Sequence, residues 1–258
     1  MASQIRKDFI LDSATDDSSI GDGPFRYMPA ADRVRLLQGQ QVELVAVLPD
    51  GQQVPLGKEH LQLLRAAWTV LRNQLDNIAG PGLYVREITH LLVPVLSAAA
   101  LRMIMTSVRH GLQKKQGALP EIPHQDGTSL YKHTAIRQAA TAIGFGYIVP
   151  QMKKYIEKTR YRGDDHRYKS PVDDIKLIYG SPVNQAMTEA KNQLVEWLVK
   201  AELDKNLTNR KAVNACMWEI PEFANAVVVE EAREKAFRNS PNYRAKKIKQ
   251  AKKDSKRN

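Results

Sequence analysis

The feature that most constrains the fold is a run of apolar residues with helical spacing in the first half of the chain. Its members, separated by three or four residues, are Leu61, Leu64, Trp68, Leu71, Leu75 and Ile78, and Gly80-Pro81-Gly82 ends the run. A second stripe of this kind extends from Ala186 to Ala201. Such stripes mark one face of a helix and must be buried against other elements. The chain is therefore predicted to be mainly α, a helical bundle.

A different pattern between Gln41 and Leu56 predicts strands. Apolar residues occupy alternate positions from Val42 to Leu48, and Pro49-Asp50-Gly51 then supplies turn chemistry before Val54. Alternation with period two on both sides of a turn is typical of a β-hairpin. We expect one small hairpin near the N-terminus, preceded by a short helix within residues 31–38.

Further helices are predicted from spacing, prolines and capping residues. They cover residues 84–96, 97–115, 129–143 and 150–158, and others begin at Pro171, at Pro182, after Thr208 and at Pro221. Serine before proline is a common helix start, because serine caps the free N–H groups and proline fits the first turn.

Composition shifts along the chain suggest five segments. These are a flexible acidic arm (1–24), an N-terminal lobe with the hairpin (25–116), a connecting loop (117–128), a C-terminal helical lobe (129–238) and a basic tail (239–258). The loop is proposed because it is rich in proline and glycine. Both terminal arms are expected to be flexible.

Length and cysteine content indicate the environment. A chain of 258 residues can bury a core without a disulfide or a metal, and its single cysteine, Cys216, can form no internal disulfide. The apolar segment between Glu87 and Arg102 is shorter than the ~20 residues of a spanning helix, and the N-terminus lacks the apolar centre of a secretory signal. We expect an intracellular protein, cytoplasmic or packaged in a virion, that is not secreted and binds no membrane.

Charge is the strongest indication of a partner. The formal net charge is +11, and residues 239–258 contain eight basic side chains and one acidic one. Residues 1–24 are acidic, with two basic and five acidic side chains, so the positive charge lies in the body and the tail. A basic body with a polycationic tail favours nucleic acid or another polyanion as the ligand.

Two segments are candidate nucleic-acid-binding sites. One is the tail, and the other is a stretch between Met152 and Lys169 in which basic residues alternate with tyrosines. Lysine and arginine can hold phosphates while tyrosine rings stack on unpaired bases. The candidate residues are Lys153, Lys154, Tyr155, Lys158, Arg160, Tyr161, Arg162, Arg167, Lys169, Arg244, Lys246, Lys247, Lys249, Lys252, Lys253, Lys256 and Arg257. The alternatives are a solvated loop paired with its own carboxylates and a solubilising basic helix over residues 243–253.

No catalytic, metal or cofactor motif is recognised. Six histidines occur without ligand spacing, and Gly144-Phe145-Gly146 follows a helical pattern, so it does not resemble a nucleotide-binding loop. An alternative enzyme reading is a magnesium-dependent nuclease, using the carboxylates Asp164, Asp165, Asp173 and Asp174 with Lys176. Because the Asp173-Asp174 pair falls in the first turn of a predicted helix, a favourable interaction with the helix dipole is the simpler explanation.

The sequence therefore favours a non-enzymatic, nucleic-acid-associated structural or assembly protein, such as a nucleoprotein, a virion component or a ribonucleoprotein subunit. It is expected to bind RNA or DNA with little sequence specificity and to form a homo-oligomer or join a larger assembly. No cofactor is expected. The remaining alternatives are the nuclease and a protein-interaction subunit of a larger machine.

Overall fold

A computed structural model describes residues 28–79, 90–113, 122, 130–158, 171–180, 187–207 and 209–254. These ranges contain eleven helices and three strands, which confirms a mainly α fold with a small β element. In chain order they are α1 (Ala30–Leu36), β1 (Gln41–Val47), β2 (Gln53–His60), α2 (Leu61–Ala67), α3 (Thr69–Ala79), β3 (His90–Pro94), α4 (Ala98–Gln113), α5 (Leu130–Ile143), α6 (Ile148–Lys158), α7 (Pro171–Tyr179), α8 (Thr188–Leu203), α9 (Arg210–Glu219), α10 (Pro221–Asn239) and α11 (Pro241–Asp254).

The predicted hairpin is confirmed. Strands β1 and β2 are antiparallel, and the turn between them closes with the Gly51 N–H donating to the Leu48 carbonyl at 2.9 Å. Gly51 has φ of +83°, a conformation that glycine adopts without strain. The Asp50 carboxylate accepts the Gln52 N–H at 2.9 Å, which explains why an aspartate belongs in this turn.

The prediction of a helix over residues 84–96 was wrong for His90–Pro94, which form strand β3. This strand pairs in parallel with β1, so the sheet order is β2-β1-β3. Leu91 and Val93 are buried and alternate with exposed His90, Leu92 and Pro94. Pairing with β1 and a buried face on one side outweigh the local helical spacing, which is a weak signal in so short an apolar run.

The predicted helix over residues 61–78 is present but divided. Trp68 has φ of −124° and ψ of +97°, so the chain leaves helical geometry there and restarts at Thr69. The stripe keeps its burial, since Trp68, Leu71 and Leu75 are each at most 1% exposed. The extended backbone of Trp68 changes the chain direction between α2 and α3, and each helix keeps one buried apolar face.

The chain divides into two compact units, with residues 1–125 and 132–158 in the first and residues 126–131 and 159–258 in the second. In the first unit, β1 contributes Val42, Leu44 and Ala46 to one buried face of the sheet, and α4 packs on β1 and β2. The predicted connecting loop at 117–128 lies outside the described residues except for Ile122, which is buried. The lobe boundary there stays a prediction, as do the arm at 1–24 and the flexibility of both ends.

A close approach of backbone to backbone fixes the turn between α5 and α6. Gly144 has φ of +70°, and a Cβ built on it would lie 2.7 Å from the backbone nitrogen of Val70. Only glycine fits such a position. By contrast, a Cβ at Gly146 would meet nothing within 4 Å. The predicted helix break at residues 144–146 is therefore confirmed, and Gly144 is the residue that requires it.

The described residues of the second unit form helices and connecting turns, without a strand. Helices α7, α8 and α9 pack with α10, and the core is built from Ile175, Leu194 and Phe223, with the Tyr179 ring 5.2 Å from that of Phe223. Burial, with a smaller contribution from Glu222, raises the pKa of Tyr179 far above its ordinary range. The helix starts predicted at Pro171 and Pro221 are confirmed, and the start predicted at Pro182 lies outside the described residues. The helix predicted after Thr208 is present as α9, which begins at Arg210 with Asn209 at its N-cap position.

Helix length also bears on membranes. Among the helices that the structure describes, none combines the length and apolar character needed to cross a bilayer.

Candidate nucleic-acid interface

Most of the predicted basic tail forms a helix. Helix α11 covers residues 241–254, including the 243–253 stretch for which a basic helix was the alternative. Ser240 ends α10 and begins α11: its Oγ accepts the Tyr243 N–H at 3.3 Å. The Phe237 and Tyr243 rings pack edge to face at 5.1 Å across this junction. The helix is thus anchored at its N-terminal end.

Helix α11 is polar on all sides. Its sequence, PNYRAKKIKQAKKD, contains six basic residues and one acidic residue in 14 positions. At 100° per residue the basic residues surround the helix axis, and Ile248 is 57% exposed. A helix without an apolar face gains little from packing on its own protein.

The described cations of α11 have no carboxylate partner. Arg244, Lys247 and Lys249 are exposed, and the contact closest to them is a 3.5 Å hydrogen bond from Arg244 to the neutral side chain of Asn239. The backbone of Lys246, Lys252 and Lys253 continues the same helix. Arg244, Lys247 and Lys249 therefore present positive charge that no described carboxylate compensates.

Helix α10, directly before it, has the opposite character. Its cations are each paired: Arg233 with Glu230 at 3.2 Å, Lys235 with Glu231 at 2.6 Å, and Arg238 with Glu234 at 2.9 Å. Arg238 also binds Asp204 at 2.7 Å, and these hydrogen bonds raise the pKa of its guanidinium. The change from paired to unpaired cations occurs at Ser240. Sequence reasoning missed this boundary, although the spacing of three and four residues between acids and bases in α10 would have shown it.

The second candidate segment begins on α6, in the first unit. Ile148, Met152 and Ile156 are buried at intervals of four residues, which leaves Lys153 and Lys154 exposed on the opposite side. Neither lysine contacts a carboxylate among the described residues. Two adjacent exposed lysines offer a weak contact site for an anionic ligand.

Tyr155 occupies a different environment from these lysines. Its ring lies 5.4 Å from the buried His133 ring, and its hydroxyl accepts a hydrogen bond from Gln151 Nε2 at 3.0 Å. The side chain is half-buried, so part of its ring surface is already covered by protein. Stacking on a base at this position would use the remaining surface.

Several predicted site residues lie outside the described residues. These are Arg160, Tyr161, Arg162, Arg167, Lys169, Lys256 and Arg257, and for Lys158 only the backbone is described. The structure therefore does not test whether basic and aromatic groups interleave between residues 159 and 170.

The carboxylates of the nuclease alternative have separate environments. Asp174 is 1% exposed, and its two oxygens accept the N–H groups of Leu130 and Tyr131 at 2.9 and 3.2 Å. Asp173 is exposed, and Lys176 pairs with Glu219 at 3.5 Å. Asp164 and Asp165 lie outside the described residues. In the described ranges, no group of three potential metal ligands comes together.

Asp174 thus acts as a capping residue for the first turn of α5, a role that sequence reasoning missed. The reading that placed it in the first turn of its own helix is correct, but the N–H groups that it satisfies belong to another helix. A contact across 44 positions leaves no local signal in the sequence. Comparison of the chain with family models, with curated proteins and with solved structures found no match.

Proposed function

We propose that this chain is a non-enzymatic, nucleic-acid-associated structural or assembly protein, such as a nucleoprotein, a virion component or a ribonucleoprotein subunit. It binds RNA or DNA phosphates with little sequence specificity and assembles with copies of itself. Its place of action is the cytoplasm or the interior of a virion. The observation that carries this proposal is the exposure of Arg244, Lys247 and Lys249 on α11 without a carboxylate partner among the described residues.

The charge density of α11 suits a phosphate backbone. Fourteen residues at 1.5 Å per residue give a helix of about 21 Å. Its sequence contains six basic residues and one acidic residue. Duplex DNA has a negative charge about every 1.7 Å, so a helix laid along it meets phosphates over its whole length. Cations distributed around the axis also allow contact in many orientations, as expected for binding without sequence choice.

The energy of such binding comes from released counterions. Each phosphate that a lysine neutralises frees part of the condensed ion atmosphere, so log K falls with log salt concentration, by about 0.9 per phosphate on duplex DNA and about 0.7 on single strands. Lys247 and Lys249 make no ion pair with described carboxylates, so their binding to phosphate does not first require breaking one.

The test is a salt titration by fluorescence anisotropy with single-stranded RNA and duplex DNA. The wild-type chain is compared with a Lys247→Gln/Lys249→Gln variant, which removes two cations of α11. If both lysines contact phosphate, the salt slope becomes shallower by roughly 1.4 to 1.8. Affinity at low salt should fall by more than tenfold.

The matched control is Lys200→Gln/Lys211→Gln, which changes net charge equally at exposed positions of α8 and α9. We expect this control to keep most of the affinity and nearly the wild-type slope. Equal losses in both variants would mean that net charge acts without a defined site. Affinity that does not respond to salt would reject the proposal.

A further inference from the structure

The outward face of α10 is apolar although the helix is part of a compact unit. Val228 is 60% and Val229 69% exposed, and Ala232 and Ala236 are exposed beside them. At 100° per residue these positions lie within one face, on the side opposite the buried Phe223 and Glu234. Exposed Asn225 and Asn239 continue this face at either end. We call residues 225, 228, 229, 232, 236 and 239 the α10 outer face.

We propose that the α10 outer face binds the same face of a second copy of this chain, with the two helices antiparallel and a twofold axis at Ala232. The inference supplies the surface for the self-assembly part of the proposed function and does not depend on nucleic-acid binding. Two features of the face favour a second copy as its partner: the symmetry of its residues and the charges along its edge.

Five of the six residues of the face are arranged symmetrically about Ala232, and the sixth, Val229, lies opposite Lys235 of the second copy in an antiparallel pair. Asn225 and Asn239 each lie seven positions away, and Val228 and Ala236 each lie four away. In an antiparallel pair, Asn225 is therefore opposite Asn239 of the second copy, where two amides can exchange hydrogen bonds. Val228 is opposite Ala236 of the second copy, so a larger side chain meets a smaller one. Ala232 meets itself, and its small side chain allows a close approach of the helices.

The charges along one edge of the face are also complementary in the antiparallel arrangement. Glu231 and Lys235 lie along one edge of the face and are paired within the helix at 2.6 Å. In the antiparallel pair, Lys235 of the second copy comes to within two residue positions, about 3 Å along the axis, of Glu231. Each acid then has a base on both copies.

The expected dimer is of moderate affinity. One helix face covers less than the ~800 Å² per partner of a standard interface, so a dissociation constant in the micromolar range is expected. The asparagine pairs favour one register over neighbouring ones, in the way that a single buried asparagine does in coiled coils.

The first experiment measures mass by sedimentation equilibrium, without nucleic acid, across micromolar concentrations of the full chain. Ala232→Glu places two like charges at the twofold axis and should weaken the dimer at least tenfold. Ala212→Glu is the matched control, because Ala212 is an exposed alanine of α9, outside the face. A monomer at all concentrations, or a dimer unaffected by Ala232→Glu, would overturn the proposal.

The second experiment tests orientation by disulfide formation. Native Cys216 is buried, so it does not compete with introduced cysteines. A mixture of Asn225→Cys chains with Asn239→Cys chains should form mixed covalent dimers under mild oxidation, while either variant alone should not. Dimers of Asn225→Cys alone would show a parallel pair and reject the arrangement. Salt-dependent RNA binding by Ala232→Glu in the same preparation separates failure of this surface from failure of the nucleic-acid proposal.

Discussion

At the scale of single residues, burial and partners decide what a carboxylate does. Asp173 and Asp174 are adjacent and chemically identical, yet their environments differ. Asp173 is exposed, whereas Asp174 is buried and both of its carboxylate oxygens accept backbone N–H groups. A metal site would need free carboxylate oxygens, and those of Asp174 already cap the first turn of α5. The adjacent pair in the sequence therefore separates into one structural and one solvent-facing group.

Replacement of Asp174 tests this assignment. Asp174→Ala leaves the N–H groups of Leu130 and Tyr131 without these acceptors, so unfolding free energy should fall by about 2 to 3 kcal/mol. Asp173→Ala, the matched control, should cost less than about 1 kcal/mol, since only a helix-dipole interaction is lost. Urea denaturation followed by circular dichroism gives both values. An Asp174→Ala chain as stable as the wild type would remove the capping role.

At the scale of helices and strands, the sequence predicted an element correctly where its apolar pattern is long. The hairpin and the longer helices repeat their apolar spacing several times, and the structure forms them close to the predicted bounds. His90–Pro94 has five residues, too few to distinguish period two from helical spacing, and its pairing with β1 is not local. The extended Trp68 lies inside an unbroken stripe, so nothing in the stripe indicated the break.

The candidate nucleic-acid interface could likewise be predicted only in part from the sequence. Its basic composition is readable in the sequence, and the exposure of Arg244, Lys247 and Lys249 agrees with it. The sequence left open that most of the tail is helical. It also left open that the cations of α10 are paired, whereas Arg244, Lys247 and Lys249 have no carboxylate partner among the described residues. Ion pairs depend on which side chains a fold brings together, which composition alone does not determine.

Lysines on neighbouring turns of helix α11 repel one another, and one substitution tests this repulsion. Lys249 has lysines three positions before it, at 246, and three and four positions after it, at 252 and 253. Each like-charge pair costs a few tenths of a kcal/mol. Lys249→Glu turns all three into attractions, so at low salt it should slow amide hydrogen exchange in residues 241–254 while weakening RNA binding.

High salt supplies the internal control for that experiment. At 0.5 M salt the charges are screened, and the exchange rates of Lys249→Glu and wild type should converge. Lys249→Gln removes the repulsion without adding attraction and should give an intermediate rate. A slower exchange that persists in high salt would mean that glutamate acts through something other than charge.

At the scale of the whole molecule, one thiol can report unfolding of the second unit. Cys216 is 1% exposed, and burial, opposed by Lys176 and reinforced by Glu219, raises the pKa of its thiol above the ordinary 9.0. Since the thiolate is the reactive form, alkylation of the native chain should be at least a hundredfold slower than in urea. Mass spectrometry after timed iodoacetamide treatment measures the ratio.

The same thiol gives stability a pH dependence of known sign. The folded chain holds the thiol proton more tightly than the unfolded chain does, so this contribution is complete below pH 9.0 and is lost as pH rises through the folded pKa. The loss should be smaller in Cys216→Ser, and Tyr131 and Tyr179, whose pKa values are also raised by burial, contribute to the remainder. An unchanged alkaline profile in Cys216→Ser would contradict the contribution of Cys216.

The mixed sheet imposes an order on biosynthesis. The hairpin partners β1 and β2 are consecutive, whereas β3 is separated from β1 by residues 48–89. While the ribosome makes that stretch, the β1 edge that β3 will occupy has no native partner, and an open strand edge can pair with other nascent chains. Slow translation before residue 94 would prolong this exposure, and a chaperone that shields strand edges would be needed most during that interval.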